Sequence, residues 1–542
     1  MNPSRRTAIS RRTLGKSVLA ASAALTVAPP TAACAAAAGQ EAGATGATGA
    51  STGTALPRGT ALRSLDVIPS SSLTTNPDRV LVACLQGLVA KTSPEGIFID
   101  EGGPGALWKN FLHTTYGITL NDSYPTWQQL LTRFRRQVRG YIRYDMTANP
   151  ASVNVASSLS GPLNALVVDR SQESAVQALG LTRLLLDVSD KDEHWAYATY
   201  QALFSGHIAA ELNSTVYYHL RDYIALTDSF TFYDGVTKWR AGVLGNLEPA
   251  ATLMGYGNDE TAMIAQASDE GVTSIPSDLA PNLSVLSGIH STDGLTQKPE
   301  PAPVTGDKHY VTFVISDGDN VAWNLWGLHE YFANPVRGSF NVGYGISPSL
   351  VDLAPGPMRW YYENASDGPA RDHFIAGPSG RGYTYPSHMP ADALDAHAVT
   401  LNAYMGKGDL RICEILDDQP VFKRSDLWAP YLRQPNIDAL FYFGPGPQGS
   451  GTKGGIRWVN GKPVIAQRDV LWAGQTEEPE LIDHINSRPA APSSSDGYTL
   501  VLVHCWTKSL TDVQTVVNGL GPQVEVVTPR AFVRLINDNH AQ

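Results

Sequence analysis

The sequence predicts an α/β protein made of two α/β domains. Three observations predict it. From about Leu62 onward, short apolar runs alternate with helical stretches, the pattern of parallel sheets covered by helices. A proline-rich break, Gln297-Lys298-Pro299-Glu300-Pro301-Ala302-Pro303, interrupts that alternation near the middle of the chain. The chain of 542 residues also exceeds what one hydrophobic core ordinarily supports.

The elements follow in chain order. Ser10-Arg11-Arg12-Thr13-Leu14-Gly15-Lys16 precedes an apolar stretch and a run of small residues, so residues 1–38 read as a twin-arginine export signal. The apolar stretch falls short of the ~20 residues of a membrane span, and no later segment is long and apolar enough. The expected location is extracellular. Cleavage immediately before Cys34 would instead leave a lipid anchor on the outer face of the membrane. Residues 39–61 form an Ala/Gly/Thr-rich linker. The signal carries five basic and no acidic residues, which leaves 35 basic against 51 acidic residues, a formal −16 that argues against a nucleic-acid partner. Cys84, Cys413 and Cys505 each sit in an apolar run and read as buried thiols, with no closely spaced Cys/His framework for zinc.

An N-terminal α/β domain is expected over 62–294, with strands at 96–100, 140–145, 164–169, 184–187 and 251–254. Several of these strands end in Asp, which commonly caps the next turn or helix. The break at 295–307 is the linker. The alternation then resumes over 308–536, with strands at 310–316, 339–346, 374–377, 410–416, 439–443, 498–506 and 524–528. A hairpin is expected about Asn460-Gly461, a pair that favours a type I′ turn. Seven or eight strands with intervening helices suggest a TIM-like β/α barrel, with an open doubly wound sheet as the alternative.

In either architecture chemistry gathers at the carboxyl ends of strands, and acids cluster there. Asp317 and Asp319 follow one strand; Glu414, Asp417 and Asp418 close another; His504 and Trp506 end a third. Two carboxyl groups flanking a bond are what glycoside hydrolysis requires. Asp319 with Asp417 is the expected catalytic pair, and Asp317, Glu414 and Asp418 are the nearest substitutes. Alternatives stand beside each. Asp319 or Asn320 equally suits a helix cap, and Glu414 shares its strand face with Ile412 and Leu416, whereas Asp417 shares the other with Cys413 and Ile415. No redox cofactor is implied.

Between two of these strands lies Gly377-Pro378-Ser379-Gly380-Arg381-Gly382-Tyr383-Thr384-Tyr385-Pro386, a glycine-rich loop carrying two tyrosines. Glycines admit close backbone approach, and Pro386 stiffens the exit. Gly380, Gly382, Tyr383, Tyr385 and Pro386 fill the fixed positions of a named motif, and here the chain resembles the GxGYxYP family of putative glycoside hydrolases. Leu85-Gln86-Gly87-Leu88, Ser316-Asp317-Gly318-Asp319-Asn320 and Gly345-Ile346-Ser347-Pro348 extend the resemblance across 62–536. It implies a two-part α/β protein associated with polysaccharide processing. On that reading Tyr383, Tyr385, Trp506 and Trp323 shape sugar subsites, and Arg381 or His504 bonds hydroxyls. Two other chemistries use the same residues: a carbohydrate deacetylase whose divalent cation is held by Asp317, Asp319 and His504, or a noncatalytic glycan-binding protein.

Overall fold

The computed structural model describes residues 55–316, 320–444 and 453–540. Its longer strands are rich in Val, Ile, Leu and Phe and buried along almost their whole length, as parallel sheets between helical layers require. Among the described residues the strands form four sheets. The first holds β1 (Ser64–Pro69), β2 (Glu95–Asp100) and β3 (Thr119–Asn121) in the order β2-β1-β3. The second holds β4 (Gly140–Tyr144), β5 (Ala165–Asp169) and β6 (Leu184–Asp187) in the order β5-β4-β6. The third holds β7 (Ile208–Glu211), β8 (Phe230–Phe232), β9 (Thr252–Gly255) and β10 (Thr273–Ile275) in the order β10-β9-β7-β8. All pairings in these three sheets are parallel. A strand and helix alternation reads the same whether the strands share one sheet or are divided among three.

The helix Asn76–Ala90 is buried along most of its length and starts with a capping box between Thr75 and Asp78. Gly87 lets the backbone of Asp222 cross it closely: a Cβ there would lie 2.0 Å from the Asp222 carbonyl oxygen. The neighbouring Gln86 donates to Ile97 O and to Asn282 Oδ1, both at 2.7 Å. Asn282 in turn pairs its amide with the backbone of Ile99, completing the edge of β2 with a side chain. The Leu85–Leu88 segment is therefore a packing device. The proline-rich segment is pinned at its start, where Gln297 exchanges hydrogen bonds with the backbone of Phe374 and donates to Asp409 O.

The fourth sheet is mixed and curled, a half-barrel. It contains β11 (His309–Ser316), β12 (Val342–Ile346), β13 (Asp372–Ala376), β14 (Ile412–Leu416), β15 (Ala439–Phe443), β16 (Ile456–Val459), β17 (Lys462–Ala466), β18 (Asp469–Leu471), β19 (Tyr498–His504) and β20 (Val524–Val526). The order is β16-β17-β15-β14-β13-β12-β11-β19-β18, with β20 also on β11. Only β16 and β17 pair antiparallel, about Asn460 (φ 53°) and Gly461 (φ 73°), which form the expected tight turn. One stretch of chain serves both ends of the order: β17 pairs with β15, and after two residues β18 pairs with β19.

Alternation sorts the two faces of this sheet. Val311, Phe313, Ile315, Tyr344, Phe374, Cys413 and Ile415 belong to the core shared with the surrounding helices. Tyr310, Val314, Ile375, Ile412, Phe441 and Leu500 face a second core built around Phe532, Leu535 and Ile536 of the helix Pro529–Asn539. Gly343 makes room for that helix, since a Cβ there would lie 2.4 Å from Pro529 Cγ. The helix fills the amino-terminal half of this inner face. The last inward positions of the strands are left at the carboxyl rim.

Candidate active site

The parallel strands β11 to β15 and β19 all end on that rim, and the period of two decides which side chain each presents inward. Ser316 ends β11 on the same face as Val314, and Glu414 lies on β14 on the same face as Ile412. These two strands are separated by β12 and β13, yet the Ser316 hydroxyl donates to Glu414 Oε1 at 2.5 Å. The bond is possible because Gly345 stands between them. A Cβ on Gly345 would lie 2.7 Å from Ser316 Oγ and 3.1 Å from Glu414 Oε2. Glu414 is completely buried. His504 is the register partner of Ser316 on the other side.

Asn320 stands at the same rim. It opens the helix Asn320–Trp326 with φ +27°, a left-handed value uncommon outside glycine. Its side chain is 5 % exposed, and neither Oδ1 nor Nδ2 has a hydrogen-bond partner. Oδ1 lies 3.5 Å from the point where Gly377 would carry a Cβ. Asn324, one turn on, is spent on structure: it accepts from Ser347 N at 2.7 Å and donates to Gly345 O. The expected catalytic residue Asp319, and Asp317 with it, lie outside the described residues.

Asp417 does not join Glu414. It belongs to the opposite strand face, and its carboxylate is engaged by Ser387, which donates from both backbone N and Oγ, and by Gln419 N. Burial pushes its pKa up, against the lowering effect of those bonds. Asp418 holds His388, which also reaches Asp269. Both residues tie loops at the end of β14, while Asp319, the other member of the expected pairing, lies outside the described residues.

The Gly/Tyr loop is packed as well. Tyr383 and Tyr385, expected to stack on sugar, are 5 % and 4 % exposed, packed edge to face against each other and onto Met263 and Ile264. Tyr383 bridges Ser274 of β10 through backbone bonds in both directions, and its hydroxyl donates to Glu260. Gly382 permits this approach, because a Cβ there would lie 2.5 Å from Ser274 O. Arg381 is 3 % exposed, donates to Thr252 Oγ1 at 2.7 Å and lies over Tyr404. The loop clasps the third sheet to the fourth.

The aromatic residues divide. Trp506 is 46 % exposed, and Trp323 lies buried behind it with its ring edge-on at 5.0 Å. His504 is stacked on Trp472, with ring centroids 3.6 Å apart, and its Nδ1 meets Thr507 Oγ1 at 2.7 Å. Among the described residues no three His, Cys, Asp or Glu side chains converge as a metal site would require. Sequence reading passed over Ser316, Gly345, Asn320 and Trp472 as site residues. The available signal was the alternation that puts Ser316 and Glu414 on inward positions.

Family models match the chain almost throughout. The "GxGYxYP putative glycoside hydrolase C-terminal domain" matches residues 307–537, and three N-terminal GxGYxYP domains match 64–136, 138–203 and 207–288. These last three spans hold the first, second and third sheets. The chain is similar to a crystal structure of a putative hydrolase from Bacteroides thetaiotaomicron VPI-5482, with 41 % identity and a TM-score of 0.83, covering 89 % of this chain and 96 % of that one. No curated protein matches it.

Proposed function

The chain belongs to the GxGYxYP family, and on that premise we propose that it hydrolyses glycosidic bonds of a poly- or oligosaccharide with Glu414 as one of two working carboxyl groups. The observation that supports this is the setting of Glu414: a fully buried carboxyl on the inner face of the curled sheet, accepting a hydrogen bond from the Ser316 hydroxyl. In this reading the sheet serves as a β/α barrel does, converging its loops over the carboxyl ends of the strands. Asp317 or Asp319 supplies the second carboxyl. One group protonates the leaving oxygen as the bond to the anomeric carbon breaks. The other attacks that carbon or takes a proton from the attacking water. Trp506 offers a sugar-sized apolar face beside the rim. The reaction needs no redox cofactor. Residues 1–38 are proposed to export the protein by the twin-arginine route to the outside of the cell.

The test is product analysis of the protein without residues 1–38 on plant, fungal and bacterial glycans, beside Glu414→Gln, Asp319→Asn and Asp417→Asn, each with and without chelator. New reducing ends that survive chelator, fall at least ~10³-fold in Glu414→Gln and persist in Asp417→Asn fit the reading. Released acetate that depends on metal, or activity unchanged in Glu414→Gln, would remove it.

A further inference from the structure

Asn320 has both amide atoms buried and unbonded, whereas buried amides in folded proteins are almost always satisfied. A carbonyl oxygen and an amide NH2 facing the same space offer one acceptor and two donors, which is the complement of a sugar ring hydroxyl. Two glycines lie beside these groups. Gly345 lies under the Ser316–Glu414 bond, and Gly377 lies 3.5 Å, measured from its ideal Cβ, from Asn320 Oδ1. Gly377 directly follows Ala376, which pairs in register with Cys413, the residue before Glu414. Glu414 therefore borders Gly345 on β12, and Asn320 borders Gly377, which directly follows the paired strand β13.

We infer that Asn320 is the substrate-positioning residue of this site, binding a ring hydroxyl of the sugar unit whose glycosidic bond meets Glu414. The assignment rests on the reading of Glu414 given above. The helix-cap role weighed for this residue from sequence is not what the side chain performs, since its oxygen accepts no backbone N–H. The left-handed backbone at φ +27° adds a separable signature, because glycine adopts such a conformation without strain. Asn320→Gly removes the amide and relaxes the backbone in one change.

The experiment compares Glu414→Gln with the double variant Glu414→Gln/Asn320→Gly, using a printed array of neutral and N-acetylated oligosaccharides followed by titration of the best binder. The expected result is binding by the single variant, at least ~10-fold weaker binding by the double variant, and a melting temperature that is unchanged or higher. Equal binding by the two variants would overturn the assignment of Asn320 while leaving Glu414 in place. No binding by Glu414→Gln itself would overturn the glycosidase reading and this assignment with it. If the double variant melts lower, Asn320→Asp in the same background decides. It keeps the side chain's shape but loses both donors, and binding equal to that of the single variant refutes the role.

Discussion

Replacing Gly345 by alanine tests the site where its geometry is tightest. The new methyl would stand 2.7 Å from Ser316 Oγ and 3.1 Å from Glu414 Oε2, both inside the 3.4 Å at which ordinary contact begins. Neither neighbour can yield freely, because Ser316 ends β11 and Glu414 sits in the middle of β14, both strands buried over most of their length. Overpacking of this kind costs about 1–3 kcal/mol. Separating the hydroxyl from a buried carboxyl removes a further ~1–3 kcal/mol. Together these predict about 2–6 kcal/mol of lost stability, a fall in melting temperature of several degrees measured by calorimetry. Displacing Glu414 by roughly an ångström predicts about a 10²-fold loss in kcat/KM on whichever glycan the protein cleaves. Gly377→Ala is the matched control for folding, because its nearest neighbours would lie at 3.5–3.6 Å, ordinary contact. It should stay within about 1 kcal/mol of the parent. A Gly345→Ala protein with parental melting temperature and parental kcat/KM would refute the claim that this glycine admits the Ser316–Glu414 bond.

Three further outcomes are expected. Burial raises the pKa of Asp222 to about 6 from 3.8, so its penalty is absent below pH 4 and grows as pH rises through 6. Asp222→Asn should thus stabilise the protein by up to about 3 kcal/mol at pH 8 and by little at pH 4, and a pH-independent difference in melting temperature would contradict this. For His388, burial lowers the imidazole pKa but Asp269 and Asp418 outweigh it and raise the pKa; His388→Gln should cost more melting temperature at pH 5.5 than at pH 8.5, since the raised group contributes below 6.5 and loses that contribution as pH climbs through its folded value. Tyr383→Phe deletes the bond to Glu260 and should cost about 1 kcal/mol of stability with kcat unchanged, whereas a collapse of kcat at parental stability would return the loop to the active site.

Much of the fold was legible locally. The alternation of apolar runs and helical stretches needs only the neighbouring residues to declare an α/β chain, and Asn460-Gly461 declares its own turn because both residues tolerate positive φ. The GxGYxYP positions carry the family for the same reason: Gly380 and Gly382 leave room that a side chain would fill with His397 or Ser274. Alternation within β14 also separated Glu414 from Asp417. Which face was the inside could not be read there, because that depends on where the helix Pro529–Asn539 docks, more than a hundred residues further along the chain. The burial of the two tyrosines could not be read locally on similar grounds. Their burial is supplied by Met263, Ile264 and Ser274 of the third sheet and its helix, and a short loop carries no sign of the distant surface that covers it. Residue type and spacing determined which groups are available for chemistry. Long-range packing alone decided which of them meet, because burial and hydrogen-bond partnership are properties of what the chain folds against.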